Sequence, residues 1–95
     1  MTIIRDEFYI QELDSIVKYM AKSNIKSALE FLYLIDYKIN NLTNMPFKFR
    51  PSYYHNNKNV RDLIVKGYTL PYLIDTTSNT IIILDIFKYK YREII

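Results

Sequence analysis

The apolar residues change their spacing at Met45-Pro46, which divides the chain into a helical part and a strand part. Before that point Leu13, Ile16, Val17 and Met20 fall at i, i+3, i+4 and i+7, one face of a helix, and predict a helix over about residues 8–21. Ser23-Asn24 interrupts the pattern and offers an N-cap to a longer second helix. The stripe of that helix runs Ile25, Ala28, Leu32, Ile35, Ile39 and Leu42, widened by Phe31 and Leu34. It is expected to end near Leu42, because Pro46 cannot continue the hydrogen-bond ladder and biases the residue before it toward extended backbone. Two helices joined so closely form an antiparallel hairpin whose apolar face needs a second layer. Thr2 to Arg5 reads as a short extended start.

After Pro46 the runs become β-branched and aromatic. Phe47 to Tyr54 alternates loosely and is expected to form a short strand, with polar loop over His55 to Asn59. Val60 to Val65, Tyr68 to Asp75 and Thr80 to Phe87 read as three strands of a meander. Lys66-Gly67, which holds the single glycine of the chain, suits a two-residue hairpin turn with glycine at positive φ. Pro71 cannot donate to a ladder, so an edge segment or a bulge is expected there. Thr80 to Leu84 is apolar on nearly every residue, as in a central strand covered on both sides. The expected fold is therefore α+β, one domain over residues 1–95: an N-terminal short strand and an α-helical hairpin packed on a three- to four-stranded antiparallel β-sheet. Leu32, Ile35, Ile39, Ile82 and Leu84 are its expected helix-to-sheet core.

Composition narrows the chemistry. The 95 residues include no cysteine and one histidine, His55, which excludes disulfides, thiolate metal sites and a multi-histidine zinc site. No cluster of acids stands at ligand spacing, so neither a metal nor another cofactor is expected. The apolar runs fall well short of the ~20 residues of a membrane span, and the N-terminus has no signal-peptide pattern, so the expected location is the cytoplasm with no membrane partner. Charge is uneven: residues 1–47 carry five Lys or Arg against six acids, while residues 48–95 carry eight against four, giving the net +3 of the whole. A basic C-terminal half suits nucleic acid or an acidic protein.

Several ordered pieces carry a resemblance. Leu13-x-x-Ile16-x-x-Tyr19, Ala28-x-x-Phe31 and Ile35-x-x-x-Ile39-x-x-Leu42 are followed by Met45-Pro46-Phe47, by VRDLIVKGY from Val60 to Tyr68, by Pro71-Tyr72 and by TIIILDIF from Thr80 to Phe87. Together they resemble the RelE/ParE superfamily of toxins from bacterial type II toxin–antitoxin systems, over roughly residues 3 to 92. The resemblance implies a toxin held inactive by a cognate antitoxin, with which it forms an oligomer. It leaves two activities open. RelE-like members cleave mRNA on the ribosome with lysine, arginine and tyrosine side chains; ParE-like members share the fold and block DNA gyrase without catalysis.

The residues bear on both. Cleavage by a 2′-hydroxyl needs a base, a proton donor for the leaving oxygen and cations around the crowded phosphate. Arg61, Lys88, Lys90, Tyr91 and Arg92 are the candidate catalytic set, with Tyr91 as donor and a lysine of lowered pKa as base. On a strand, alternation places residues 88, 90 and 92 on one face and Tyr89 and Tyr91 on the other. Lys48, Arg50, His55, Lys58 and Lys66 are candidate nucleic-acid contacts. The tail FKYKYRE favours the metal-independent ribonuclease, which is the leading expectation; Leu63-Ile64, standing where ribonuclease members carry an arginine before the hairpin, favours the gyrase inhibitor. An inactive chain that only binds its antitoxin is the third reading.

Overall fold

Asp6 opens the first helix: its carboxylate accepts from the Phe8 N–H at 3.0 Å, satisfying one of the donors that a helix start leaves unpaired. The computed structural model describes residues 1–88. Within them β1 (Thr2–Arg5) is followed by α1 (Glu7–Ser23), α2 (Ile25–Asn40), a short 3-10 turn (Asn41–Thr43), β2 (Val60–Val65), β3 (Tyr68–Asp75) and β4 (Thr80–Ile83). One residue joins the two helices. Asn24 is extended, its N–H closes α1 on the Met20 carbonyl, and its side chain caps α2 by accepting from the Ser27 N–H at 3.1 Å.

The sheet order is β1-β4-β3-β2. β2, β3 and β4 form the expected antiparallel meander, and β1 adds to its edge parallel to β4, the long connection that a parallel pair requires running through both helices, β2 and β3. The β2–β3 turn carries positive φ at both Lys66 (54°) and Gly67 (82°), the mirror-image turn whose twist matches its flanking strands.

Alternation decides which side chains meet the helices. Ile81 and Ile83 of β4, Leu70, Tyr72 and Ile74 of β3, and Leu63 and Val65 of β2 are buried against Tyr9, Phe31, Ile35, Ile39 and Leu42. Ile35 and Ile39 belong to this core as expected. Ile82 and Leu84 do not: register sets Ile83 opposite Tyr72 and Ile81 opposite Ile74, so the intervening residues point to the other face, where both are only partly buried. A one-residue error of phase transfers a whole strand's apolar set to the wrong side. Leu32 is likewise only partly buried, because the inward row of α2 runs through Ala28, Phe31, Ile35 and Ile39.

Pro71 lies in an interior strand, and the ladder accommodates it with a bulge. The Leu84 N–H donates to the Pro71 carbonyl at 2.9 Å, but proline returns no bond, and β4 ends at Ile83 rather than running on to Phe87. Pairing resumes where Thr69 and Phe87 exchange bonds of 2.8 and 3.1 Å. Ile83 faces Tyr72 and Phe87 faces Thr69, so four steps on one strand answer three on the other.

The strand expected over Phe47 to Tyr54 is absent. Residues 44–59 are turns and bends that pass around the outer edge of β2, touching it at a bridge between Pro51 and Arg61. Two ladder-like bonds hold this passage, Ser52 N–H to the Val60 carbonyl at 2.8 Å and Asp62 N–H to the Arg50 carbonyl at 3.2 Å. Pro51 between them has no N–H, which limits the segment to this short contact.

Ile35 is fully buried at the centre of the helix-to-sheet layer. Ile35→Ala is therefore expected to lower the unfolding free energy by about 2–5 kcal/mol in denaturant titrations, and a loss below about 1 kcal/mol would contradict this placement. A second expectation concerns alkaline pH. Burial pushes the Tyr9 hydroxyl up to about 12 and the Tyr72 hydroxyl higher still. Raised values mean that this contribution to stability is complete below the ordinary tyrosine range near ~10 and is lost as pH climbs through the folded value. Tyr9 and Tyr72 should therefore ionise only as the chain unfolds in an ultraviolet alkaline titration. Reversible ionisation of all ten tyrosines would contradict the burial of these two.

Candidate functional site

The segment 44–59 has no regular ladder to satisfy its carbonyls, and two side chains from the sheet do so instead. Arg61 shares the helix-facing side of β2 with Leu63 and Val65. Its Nε donates to the Lys58 carbonyl at 3.0 Å and its Nη1 to the carbonyls of Phe47 and Phe49 at 3.1 and 2.9 Å. The guanidinium carbon also lies 5.0 Å from the Phe47 ring centroid. Tyr72, the cross-strand neighbour of Arg61, donates its hydroxyl to the Pro46 carbonyl at 2.6 Å. Four main-chain carbonyls from one loop thus converge on two adjacent side chains, a use suited to the forked donors of arginine.

Asp62, the next residue, points to the opposite face and is buried there. Neither carboxylate oxygen has a hydrogen-bond partner among the described residues, and the Arg50 guanidinium approaches one of them at 3.5 Å. Arg50 lies at the same time 4.2 Å from the centroid of the Tyr53 ring. Beyond it Tyr54 packs edge-on against Phe87, with centroids 4.8 Å apart. Arg61 and Tyr72 thus hold both ends of the loop, at Pro46 to Phe49 and at Lys58, while Asp62 and aromatic contacts meet its middle part, Arg50 to Tyr54, on the opposite face.

The other cations of this region are Lys48, which lies 5.5 Å from the Phe49 centroid, and exposed Lys58. His55 makes a long contact of 3.4 Å from Nδ1 to the Ser52 hydroxyl, which already accepts from the Tyr54 N–H. At the far end of the β2–β3 hairpin stands a separate group. A cleft of about 430 Å³ lies between the helices and the turn, floored by Phe31, Leu34 and Tyr68 and flanked by Lys66 and Lys88. The Lys88 ammonium is 5.6 Å from the Tyr68 centroid.

The candidate residues thus divide. Lys48, Arg50, His55 and Lys58 gather on the loop around Arg61, whereas Lys66 and Lys88 share the hairpin cleft. Arg61 pairs with Tyr72 and Lys88 sits over Tyr68, four residues along the same strand, a separation of about 13 Å at ordinary strand rise. Lys90, Tyr91 and Arg92 lie outside the described residues. Three features of the site escape sequence reading: the Tyr72 clamp, the burial of Asp62, and the cleft floor of Phe31 and Tyr68. The only sequence signal was an arginine-aspartate pair set into an otherwise apolar strand. Among the described residues no three His, Cys, Asp or Glu side chains gather as a metal site, and no helix is long and apolar enough to cross a membrane.

Comparison with known proteins follows the same lines. A family model described as the ParE toxin of the type II toxin–antitoxin system parDE matches residues 3–90. Among solved structures the chain is similar to one from the chromosomal ParDE toxin–antitoxin system of P. aeruginosa, with a TM-score of 0.73 and 22% identity over 90% of this chain and 92% of that one, a likeness of fold. No curated protein sequence matches. With a family match running from β1 past the last described residue, the chain belongs to the ParE toxin family of type II toxin–antitoxin systems.

Proposed function

We propose that this chain acts by binding and inhibiting DNA gyrase rather than by cleaving mRNA, and that a cognate antitoxin holds it inactive. Membership of the ParE family supports this reading, since gyrase inhibition is the activity implied for the ParE-like branch. The observation that carries it is the engagement of Arg61. A catalytic arginine must offer N–H groups to a phosphate, and here three of the five guanidinium N–H groups already donate to carbonyls of its own chain, fixing the side chain to the loop. Arg61 pairs with Tyr72 whereas Lys88 lies over Tyr68, about 13 Å of strand rise away, so the two described members of the candidate catalytic set sit at different places along β3. Under this reading Arg61 shapes the surface and other residues make the contacts. The loop held by Arg61 and Tyr72 presents Lys48, Lys58, Phe47 and Tyr53 to the partner, a mixture of cations and exposed aromatic area common in protein interfaces.

A pulse of expression followed by mapping of mRNA 5′ ends, beside a supercoiling assay with purified gyrase, tests the proposal. Intact mRNA and inhibited supercoiling are expected; cleaved mRNA with unimpaired gyrase would overturn it and favour the ribonuclease built on the tail. Charge reversal at Lys48→Glu with Lys58→Glu is expected to weaken gyrase inhibition at least about tenfold with little change in melting temperature, because both side chains are exposed. Arg61→Lys separates the roles of charge and shape. A lysine keeps the charge but not the forked donors, so a loss of about 1–3 kcal/mol in stability is expected in denaturant titrations. Unchanged stability would contradict the clamp.

A further inference from the structure

A carboxylate buried without hydrogen bonds is costly to a fold, and Asp62 has no hydrogen-bond partner among the described residues, so its presence on β2 calls for a reason other than stability. Its side chain is fully shielded while that of Arg50, its partner at 3.5 Å, is 45% exposed. The arginine is bounded below by this carboxylate and on one side by the Tyr53 ring at 4.2 Å. It is also placed by its own main chain, since the Arg50 carbonyl accepts from the Asp62 N–H at 3.2 Å. A guanidinium with an ion pair, an aromatic ring and a backbone anchor around it has few conformations left, while 45% of the side chain stays open to a partner. Binding then costs little ordering of this long side chain.

We propose that Arg50 is the anchor of the partner-binding surface, receiving a carboxylate side chain of the target protein, and that Asp62 is a positioning residue acting through it. This rests on the gyrase reading above, which makes the partner a protein and the complementary group an acidic side chain. The arrangement also explains why the acid lies on the strand and the arginine on the loop. The strand fixes the buried charge rigidly, and the loop brings the exposed charge to it.

The test is a double-mutant cycle read on inhibition of purified gyrase. Arg50→Ala is expected to weaken inhibition at least about tenfold, Asp62→Asn by a smaller factor, and the double variant no more than Arg50→Ala alone, because a residue that acts through another has nothing to add once that residue is gone. Additive losses, or full inhibition by Arg50→Ala, would overturn the proposal. Folding is followed by melting temperature. Should Asp62→Asn fail to fold, Tyr53→Ser at an exposed position removes the other wall, and its loss must likewise vanish in the Arg50→Ala background. The arginine Nε–H resonance of Arg50 in the purified chain gives a readout free of gyrase: a distinct, slowly exchanging signal that Asp62→Asn broadens or moves to the free-arginine position supports positioning, and an unchanged signal overturns it. If the wild-type chain leaves gyrase untouched, the functional reading fails, and the resonance still decides whether Asp62 holds Arg50.

Discussion

The edge of a sheet must be covered or blunted, and in this chain the covering of β2 depends on two consecutive residues that point in opposite directions. Arg61 reaches to one face and takes up carbonyls from both ends of the loop, Phe47 and Phe49 on the way in and Lys58 on the way out; Asp62 reaches to the other and pairs with Arg50 in between. Strand alternation alone lets neighbouring residues grip both sides of a segment that passes around the edge. Tyr72 adds a third grip through the Pro46 carbonyl, and the loop needs no strand of its own. Everything the chain presents at this end, including Lys48, Lys58 and Tyr53, is positioned by that arrangement.

The helical half was legible because its signals are local. Asn24 could be read as a cap, Pro46 as a stop, and Ile35 and Ile39 as the inward face, since each depends on residues within a few positions. The sheet was less so. β4 is apolar on both faces, so its sequence contains nothing that distinguishes Ile81 and Ile83 from Ile82 and Leu84; the choice is made by register against Tyr72 and Ile74. Pro71 announced a bulge but not its place, which falls on the facing strand at Asp85-Ile86 because that is where the returned bond is missing.

The candidate site shows a similar division. A basic C-terminal half was plain in the sequence, and so was a family resemblance that the ParE match bears out. The sequence could not show that Arg61 would be turned inward onto main-chain carbonyls, because the loop it holds resembles a strand in its alternation of Phe47, Phe49 and Pro51. Nor could it show the burial of Asp62, which requires the loop to have crossed the strand edge. Both follow from one long-range event, the wrapping of residues 44–59 around β2.

Native-state hydrogen exchange of wild type and Arg61→Ala addresses that event most directly. If Arg61 holds the loop, the Ser52 and Asp62 amides, which bond across the wrapped edge, should exchange markedly faster in the variant while amides at the centre of α2 keep their protection. Unchanged protection at Ser52 and Asp62, together with lost toxicity, would contradict the account and return Arg61 to direct contact with the target.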